Sequence, residues 1–321
     1  MLKNKLRYIF NLKQWLWEPL REKFWEKLLK EFFFNGHTYE STPKFPLHLD
    51  LEINSRCNFS CAMCPQSMPK NDQGFKQGRM TALNALEIIE YCSSQGTKSI
   101  KPFWRGEPTI NPDLPRVMSF AKRKGLFTMM NTNGSFPLNN REDIIDSIEW
   151  ISFSLDRYHS NNQNNPKILD HVLFFKENGV HTEIQSSTPD DKLIDFCNQN
   201  HIIFSPDRLT ERTKTGGYTY MRLDGKKRKN CNFPFWRMII SWDLMVKPCC
   251  VSWNDGELDM GSLKDSDGQL NVHKIKQVWK SYLYRSLRNQ QRTLKFRSSA
   301  CRSCVSSSAY IIEDQTELSH V

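Results

Sequence analysis

Short apolar runs alternate with helix-like segments along residues 47 to 205. The first run, Leu47 to Ile53, has the length of a strand, and Thr81 to Gln95 repeats its apolar residues at helical spacing. The same alternation continues to the end of this region. We predict further strands at 98–103, 127–132, 150–155, 181–186 and 202–205, and further helices at 111–124, 140–148, 166–178 and 190–200.

Strands that alternate with helices of this length predict right-handed βαβ units and a parallel sheet. About six such units fit between Leu47 and Arg208, and a closed eight-stranded barrel of roughly 250 residues is too long for this segment. The pattern therefore predicts an α/β fold, a partial (β/α)6 barrel at residues 45–208. A helical extension at 1–44 would precede the barrel, and a smaller domain at 209–321 would follow it.

The first 44 residues have a different pattern from the barrel region. Leu20, Phe24, Leu28 and Phe32 recur every four residues among tryptophans and basic residues, which indicates a basic amphipathic helix. Such a helix suits contact of residues 1–34 with a membrane surface or a partner protein, or packing over the bottom of the barrel. Pro19 would break a continuous anchor, and this favours packing.

Composition favours a reduced, cytoplasmic protein. The 321 residues are 38% hydrophobic, enough for the cores of two domains, and include 10 cysteines without a recognisable signal peptide. No apolar run approaches the roughly 20 residues that span a bilayer.

The net charge of +10 is concentrated in the C-terminal part of the chain. Residues 208–302 contain 20 Lys and Arg against 8 Asp and Glu, a balance of +12, so the remainder sums to −2. The run Lys226 to Lys229 is the densest part. Such a positive field attracts phosphates, nucleotide sugars, carboxylated peptides or nucleic acid, and a solvated basic loop is the slightly favoured interpretation of the run itself. Nucleic acid is disfavoured because no nucleic-acid-binding motif accompanies the charges.

Three cysteines directly follow the first predicted strand. Cys57, Cys61 and Cys64 stand at x3 and x2 spacing, and the nearest later cysteine, Cys92, lies within a predicted helix. Closed structural zinc sites use four ligands, whereas a cluster with three protein ligands keeps one metal position open for a cofactor or substrate. A zinc knuckle and a disulfide pair are the alternatives.

This loop resembles the CxxxCxxC loop of the radical S-adenosylmethionine (radical SAM) superfamily. The resemblance implies a [4Fe–4S] cluster on the three cysteines, with SAM chelating the fourth iron. Met63, beside the third cysteine, would flank the adenine, although a space-filling methionine is nearly as consistent with this position.

Segments after later strands extend the resemblance. Trp104 to Thr109 resembles the GGEP motif, which binds the SAM amino group in this family, with Gly106, Glu107 and Pro108 matching and Arg105 departing from it. The resemblance also implies SAM contacts from Asn133, Ser154 and Asp156, and Asp156 equally suits a turn cap.

A second cysteine group occupies the C-terminal part. Cys231, Cys249, Cys301 and Cys304 resemble the ligands of a shortened SPASM, or twitch, domain, which binds one auxiliary [4Fe–4S] cluster, and residues 239–248 between them are predicted to form a β-hairpin. Structural zinc is the alternative. Cys250 is surplus: it could replace Cys249 as ligand, pack inertly, or donate a hydrogen atom in an epimerase. Cys92 and Cys197 are predicted core residues.

The resemblance implies reductive cleavage of SAM, hydrogen abstraction by a 5′-deoxyadenosyl radical, and an electron donor such as flavodoxin or ferredoxin. We expect oxidation of a small anionic or sugar- or cyclitol-type substrate. The alternatives are epimerisation of such a substrate and modification of a ribosomal peptide, for which no leader-binding module is recognisable. A non-enzymatic zinc- or cluster-binding interaction protein is the last alternative.

Overall fold

The computed structural model describes residues 42–61, 64, 77–135, 140–155, 162, 164–186, 189–206, 231–250, 252, 258–298 and 301–302. Contacts divide the chain into two units, residues 1–44 and residues 45–321. The amphipathic segment 1–41, Met63, Asp156, the basic run 226–229 and Cys304 lie outside the described residues.

A nine-stranded sheet forms the frame of the second unit. Its strand order is β6-β5-β4-β3-β2-β1-β7-β8-β9, with parallel pairing from β6 through β7 and antiparallel pairing of β7 with β8 and of β8 with β9. The described strands form an open sheet, which confirms a partial rather than a closed barrel. The strands are β1 His48–Leu51, β2 Ser99–Lys101, β3 Phe127–Thr132, β4 Trp150–Ser154, β5 His181–Ser186, β6 Ile203–Pro206, β7 Arg237–Ile240, β8 Met245–Lys247 and β9 Gly261–Ser262.

Among the described residues, five helices connect the parallel strands β1 to β6, one short helix precedes β7 and two helices follow β9. In order they are α1 Ala82–Ser94, α2 Leu114–Arg123, α3 Asn140–Ile145, α4 Pro166–Glu177, α5 Asp191–Gln199, α6 Phe233–Trp236, α7 His273–Trp279 and α8 Tyr282–Thr293. None of the described helices is both long enough and apolar enough to cross a bilayer.

Side-chain caps determine where several of these helices begin. Thr81, Asn165 and Asp190 each accept a hydrogen bond from the first turn of α1, α4 and α5, as N-cap residues do. Helix α2 begins three residues later than the sequence predicts. The reason is Asn111, whose side chain donates to Ile53 O (3.0 Å) and accepts from Asp113 N (3.0 Å), holding this stretch outside the helix.

The hairpin predicted at residues 239–248 is present as β7 and β8. Strand β7 also pairs in parallel with β1, from His48–Arg237 to Leu51–Ile240. The sheet is therefore continuous across the boundary expected at residue 208.

A buried charge cluster fixes β7 to β1 and β2. Asp50 is fully buried on the inner face of the sheet, where it pairs with Arg237 and lies 3.5 Å from Lys101 Nζ and 3.4 Å from His48 Nε2. Burial alone would raise the pKa of Asp50, but the two cations outweigh it and hold the pKa well below its usual range. Burial lowers the pKa of His48, which favours its neutral form.

Replacing Arg237 with Leu should destabilise the protein by about 3 kcal/mol, because it leaves the Asp50 carboxylate buried without its strongest partner. Urea unfolding of the cluster-loaded protein measures the change. Arg285→Leu, on the exposed side of α8, is the control and should stay within about 0.5 kcal/mol of the parent. The double variant Asp50→Leu, Arg237→Leu should recover part of the loss. Wild-type stability of Arg237→Leu would contradict this packing.

Candidate functional site

The cysteine loop begins directly after β1 and is held by hydrogen bonds from two sides. Phe59 N donates to Cys57 Sγ at 3.4 Å, and Asn133 Nδ2, at the end of β3, lies 3.8 Å from the same sulfur. Burial raises the pKa of the Cys57 thiol to about 11, while these two donors favour the thiolate. Iron ligation requires the thiolate and would release this proton.

Gly106 sets the distance between the cysteine loop and the segment after β2. Its φ is +75°, and a Cβ there would lie 2.4 Å from Arg56 O and 2.8 Å from Asn54 O. Glu107 N donates to Arg56 O (2.8 Å), and Asn54 Nδ2 donates to Glu107 O (3.0 Å). Only glycine allows the two backbones to approach this closely.

The Glu107 carboxylate is buried and receives four hydrogen bonds from the protein. Its Oε1 accepts from Thr109 N (3.1 Å), Thr109 Oγ1 (2.7 Å) and Thr132 Oγ1 (2.8 Å), and its Oε2 accepts from Asn133 N (2.7 Å). Burial raises the pKa of Glu107, and the donors oppose that rise. Glu107 therefore braces the end of β2 against the end of β3. A direct contact of this residue with SAM stays a prediction.

Arg105, the departure from the glycine of the motif, has a structural role. Its guanidinium forms a two-pronged ion pair with the fully buried Glu52, Nε to Oε1 at 2.6 Å and Nη2 to Oε2 at 2.8 Å, and stacks 4.0 Å from the Trp104 ring. Glu52 also accepts from Trp242 N (3.1 Å). The pair joins the ends of β1, β2 and β7, and sequence reasoning missed it. The one available signal was an acidic residue within an apolar run.

The inner face of the partial barrel carries polar side chains from neighbouring strands. On β4, Ile151 and Phe153 pack in the core while Ser152 and Ser154 alternate with them, and register places Ser152 between Asn131 and Glu183. The Ser152 hydroxyl is buried without a hydrogen-bond partner among the described residues.

Asn162, which sequence reasoning did not identify, links the ends of two of these strands. Its Nδ2 donates to Asn133 O (2.9 Å) and Ser154 O (3.1 Å). Pro108 is buried as the first residue of a short 3-10 turn. The structure brings Glu107, Asn133 and Ser154 to one edge of the sheet, and their contacts with SAM remain predictions.

Three of the auxiliary cysteines lie near helix α8. Gln291 Oε1 accepts from Cys231 N (3.1 Å), and Gln291 Nε2 donates to Cys301 Sγ (3.7 Å). Cys249 lies within electrostatic range of the Tyr284 hydroxyl, whose pKa is raised mainly by burial. All three cysteines are buried.

Cys249 and Cys250 have different surroundings. Cys250 packs against Trp104 and Ile239, the same pair that Cys64 of the first cysteine loop contacts, and its carbonyl accepts from Trp104 Nε1 (3.3 Å). Cys250 therefore lies toward the first cysteine loop, whereas Cys249 neighbours α8. Cys92 and Cys197 are buried in helices α1 and α5, as expected of core residues.

Both sets suit iron–sulfur clusters by the chemistry of their donors, which are thiols backed by amide and backbone N–H groups. Among the residues that the structure describes, no three His, Cys, Asp or Glu side chains are close enough together to hold a metal ion. The assignment therefore rests on residue type and surroundings.

Comparison with protein families identifies the C-terminal part. The SPASM model, described as an iron–sulfur cluster-binding domain, matches residues 231–305, a range that includes Cys231, Cys249, Cys301 and Cys304.

Two curated proteins named S-adenosylmethionine-dependent nucleotide dehydratase are similar in sequence. The one from Lacinutrix mariniflava is 28% identical over 146 residues, 44% of this chain and 29% of that protein. The one from Flammeovirga pacifica is 30% identical over 122 residues, 37% of this chain and 40% of that protein. The matches thus span well under half of either relative.

Solved structures share the fold over most of the chain. BtrN in complex with AdoMet and 2-DOIA is 18% identical, with a TM-score of 0.56, covering 86% of this chain and 98% of BtrN. Streptococcus suis SuiB bound to S-adenosylmethionine is 16% identical, with a TM-score of 0.57, covering 89% and 74%. The family match shows that residues 231–305 form a SPASM domain, and together with the cysteine loop and the similar curated sequences it supports a radical SAM protein with a SPASM domain.

Proposed function

We propose that this radical SAM enzyme oxidises a small, anionic, hydroxyl-bearing substrate. The observation that carries the proposal is the shared contact of Cys64 and Cys250 with Trp104 and Ile239. Cys249, a proposed auxiliary ligand, is the direct neighbour of Cys250. Residues from the two cysteine segments, Cys64 and Cys250, thus pack against one small apolar cluster, an arrangement that suits electron transfer between two clusters.

The charges on the inner face support an anionic substrate. Lys101 and Arg237 carry two positive charges against the single carboxylate of Asp50, while burial favours the neutral form of His48. Both cations also lie within electrostatic range of Cys250. A negative group on the substrate would balance the surplus charge.

Polar side chains further along the strands support a substrate or ribose with hydroxyl groups. Ser152 has a buried hydroxyl without a partner among the described residues, and Asn131 and Glu183 are its neighbours in register. A ligand that forms a hydrogen bond with a buried, unpaired hydroxyl of this kind gains binding free energy.

The chain's own residues would hold and shield this chemistry. When bound, the two clusters and SAM supply a hydrogen-abstracting 5′-deoxyadenosyl radical, fed by a flavodoxin- or ferredoxin-class donor, and an acceptor for the substrate's second electron. Gly106 and Glu107 fix the segment beside the cysteine loop, and the buried side chains of Trp104 and Ile239 would keep water away from Cys64 and Cys250, which pack against them.

Dehydration of a nucleotide is the second candidate, favoured by the names of the two curated relatives. Dehydration requires an electron to return to the substrate radical, so it does not use an electron-accepting cluster. Product mass separates the two reactions, since oxidation removes two hydrogens and dehydration removes water. Epimerisation would instead place solvent deuterium at the inverted carbon.

Changing Cys57, Cys61 and Cys64 together to Ala should abolish SAM cleavage under dithionite. Iron should fall from about eight to about four per chain, because one of two cubanes loses its ligands. Anaerobic reconstitution with iron and sulfide analysis measures the content, and 5′-deoxyadenosine formation measures cleavage. A triple variant that still cleaves SAM would refute this site.

Gly106→Ala should selectively impair the first cluster, because the new Cβ would displace the backbone at residues 54–56. Iron should fall toward about four per chain, with loss of SAM cleavage. Gly125→Ala is the matched control: its φ is +77° but its Cβ would have no neighbour within 4 Å. That control should cost about 1 kcal/mol of stability and keep its iron. Equal iron contents in the two variants would contradict the steric role.

Cys250→Ser should keep the full iron content, whereas Cys249→Ser should lose that of the auxiliary cluster. The reason is that Cys249 neighbours α8 together with the other auxiliary cysteines, while Cys250 packs against Trp104. Iron analysis of both variants in the Cys57, Cys61 and Cys64 triple-Ala background gives the answer directly. Iron loss in the Cys250 variant alone would reverse the assignment.

A further inference from the structure

Arg288 of α8 is a buried cation without an acidic partner among the described residues. Its side chain is 4% exposed, Nε donates to Pro234 O (2.8 Å), and Nη1 donates to Trp279 O (3.0 Å). Nη2 is buried with no hydrogen-bond partner in the same part of the chain. The guanidinium stacks 4.1 Å from the Trp279 ring and 4.8 Å from the Tyr284 ring.

Burying a charged guanidinium costs free energy unless a nearby negative charge compensates it. Burying a guanidinium removes its hydration, and backbone carbonyls and aromatic faces return only part of that free energy. Burial lowers the pKa of Arg288, and of the two side chains that also act on it, Tyr284 is a neutral phenol and Arg292 is itself positive. The described side chains therefore leave a positive charge to be balanced.

The position of Arg288 indicates what balances it. Tyr284, Arg288 and Gln291 are buried residues at i, i+4 and i+7, which is one face of α8. Gln291 contacts Cys231 and Cys301, and Tyr284 lies within electrostatic range of Cys249. Arg288 is thus the central residue of the face that neighbours the auxiliary cysteines. Its Nε donates a hydrogen bond to the carbonyl of Pro234, three residues after Cys231.

We propose that Arg288 supplies the counter-charge of the auxiliary cluster and raises its reduction potential. A cluster with four thiolate ligands is a net anion that becomes more negative on reduction, so a fixed neighbouring cation favours the reduced state. The inference rests on iron–sulfur binding by residues 231–305 and is independent of the substrate. Arg288 would be a positioning and tuning residue that does not itself ligate iron.

The test uses the full chain with Cys57, Cys61 and Cys64 changed to Ala, so that only the auxiliary cluster is loaded. Redox titration followed by electron paramagnetic resonance gives its midpoint potential. Arg288→Met should disfavour reduction about tenfold, which is about 59 mV more negative for one electron. Arg288→Lys keeps the charge and should stay close to the parent. Arg285→Met, an exposed neighbour on the same helix, should leave the potential unchanged.

Several outcomes would overturn the proposal. An unchanged potential in Arg288→Met, or an equal shift in Arg288→Lys and Arg288→Met, would show that charge is not the cause. If Arg288→Met fails to load iron, the midpoint potential of Arg288→Lys is the deciding measurement. A shifted potential in Arg288→Lys would refute the counter-charge role. Zinc in place of iron in the triple-Ala parent would remove the redox role and also refute the two-cluster proposal. A normal cluster with no charge effect would refute only the role of Arg288.

Discussion

Strand β1 is the element on which the candidate site depends, because it pairs in parallel with both β2 and β7. The cysteine loop follows β1, the motif with Gly106 and Glu107 follows β2, and the cysteine-bearing hairpin begins with β7. Since the carboxyl ends of parallel strands meet at one edge of a sheet, this pairing brings the three segments together. The Glu52–Arg105 pair and the charge cluster around Asp50 then fix the side chains between the strands.

The barrel elements could be predicted from the sequence because apolar periodicity and capping residues agree there. Strands β3 and β5 have the predicted bounds, and helices α1 and α5 begin directly after the capping residues Thr81 and Asp190. The start of α2 could not be predicted, because Asn111 is held by a hydrogen bond to Ile53, which is distant in sequence. Local patterns cannot show a contact of this kind.

The candidate site likewise has residues that could be predicted from the sequence and residues that could not. Cysteine spacing and the motif at residues 104–109 predict the ligands and point to the glycine, because each motif is contiguous in sequence. The supporting residues could not be found, since each acts through a distant partner. Arg105 stood out only as a departure from the motif. Its presence is explained by the ion pair with Glu52, which lies 53 residues earlier in the sequence. Gln291 and Arg288 gave no signal beyond composition, because the role proposed for them depends on a helix face that neighbours cysteines from three separate segments.

The pairing of β1 with β7 also has a consequence for the order in which the chain can fold. Glu52 N donates to Ile240 O, and Trp242 N donates to the Glu52 side chain across 190 residues of sequence. During synthesis, one edge of β1 therefore has no partner until most of the chain has left the ribosome, and such an edge is prone to pair with other chains. Contacts this distant also slow folding. The cysteine loop is thus synthesised early, whereas the edge of β1 that precedes it is paired only when β7 is available.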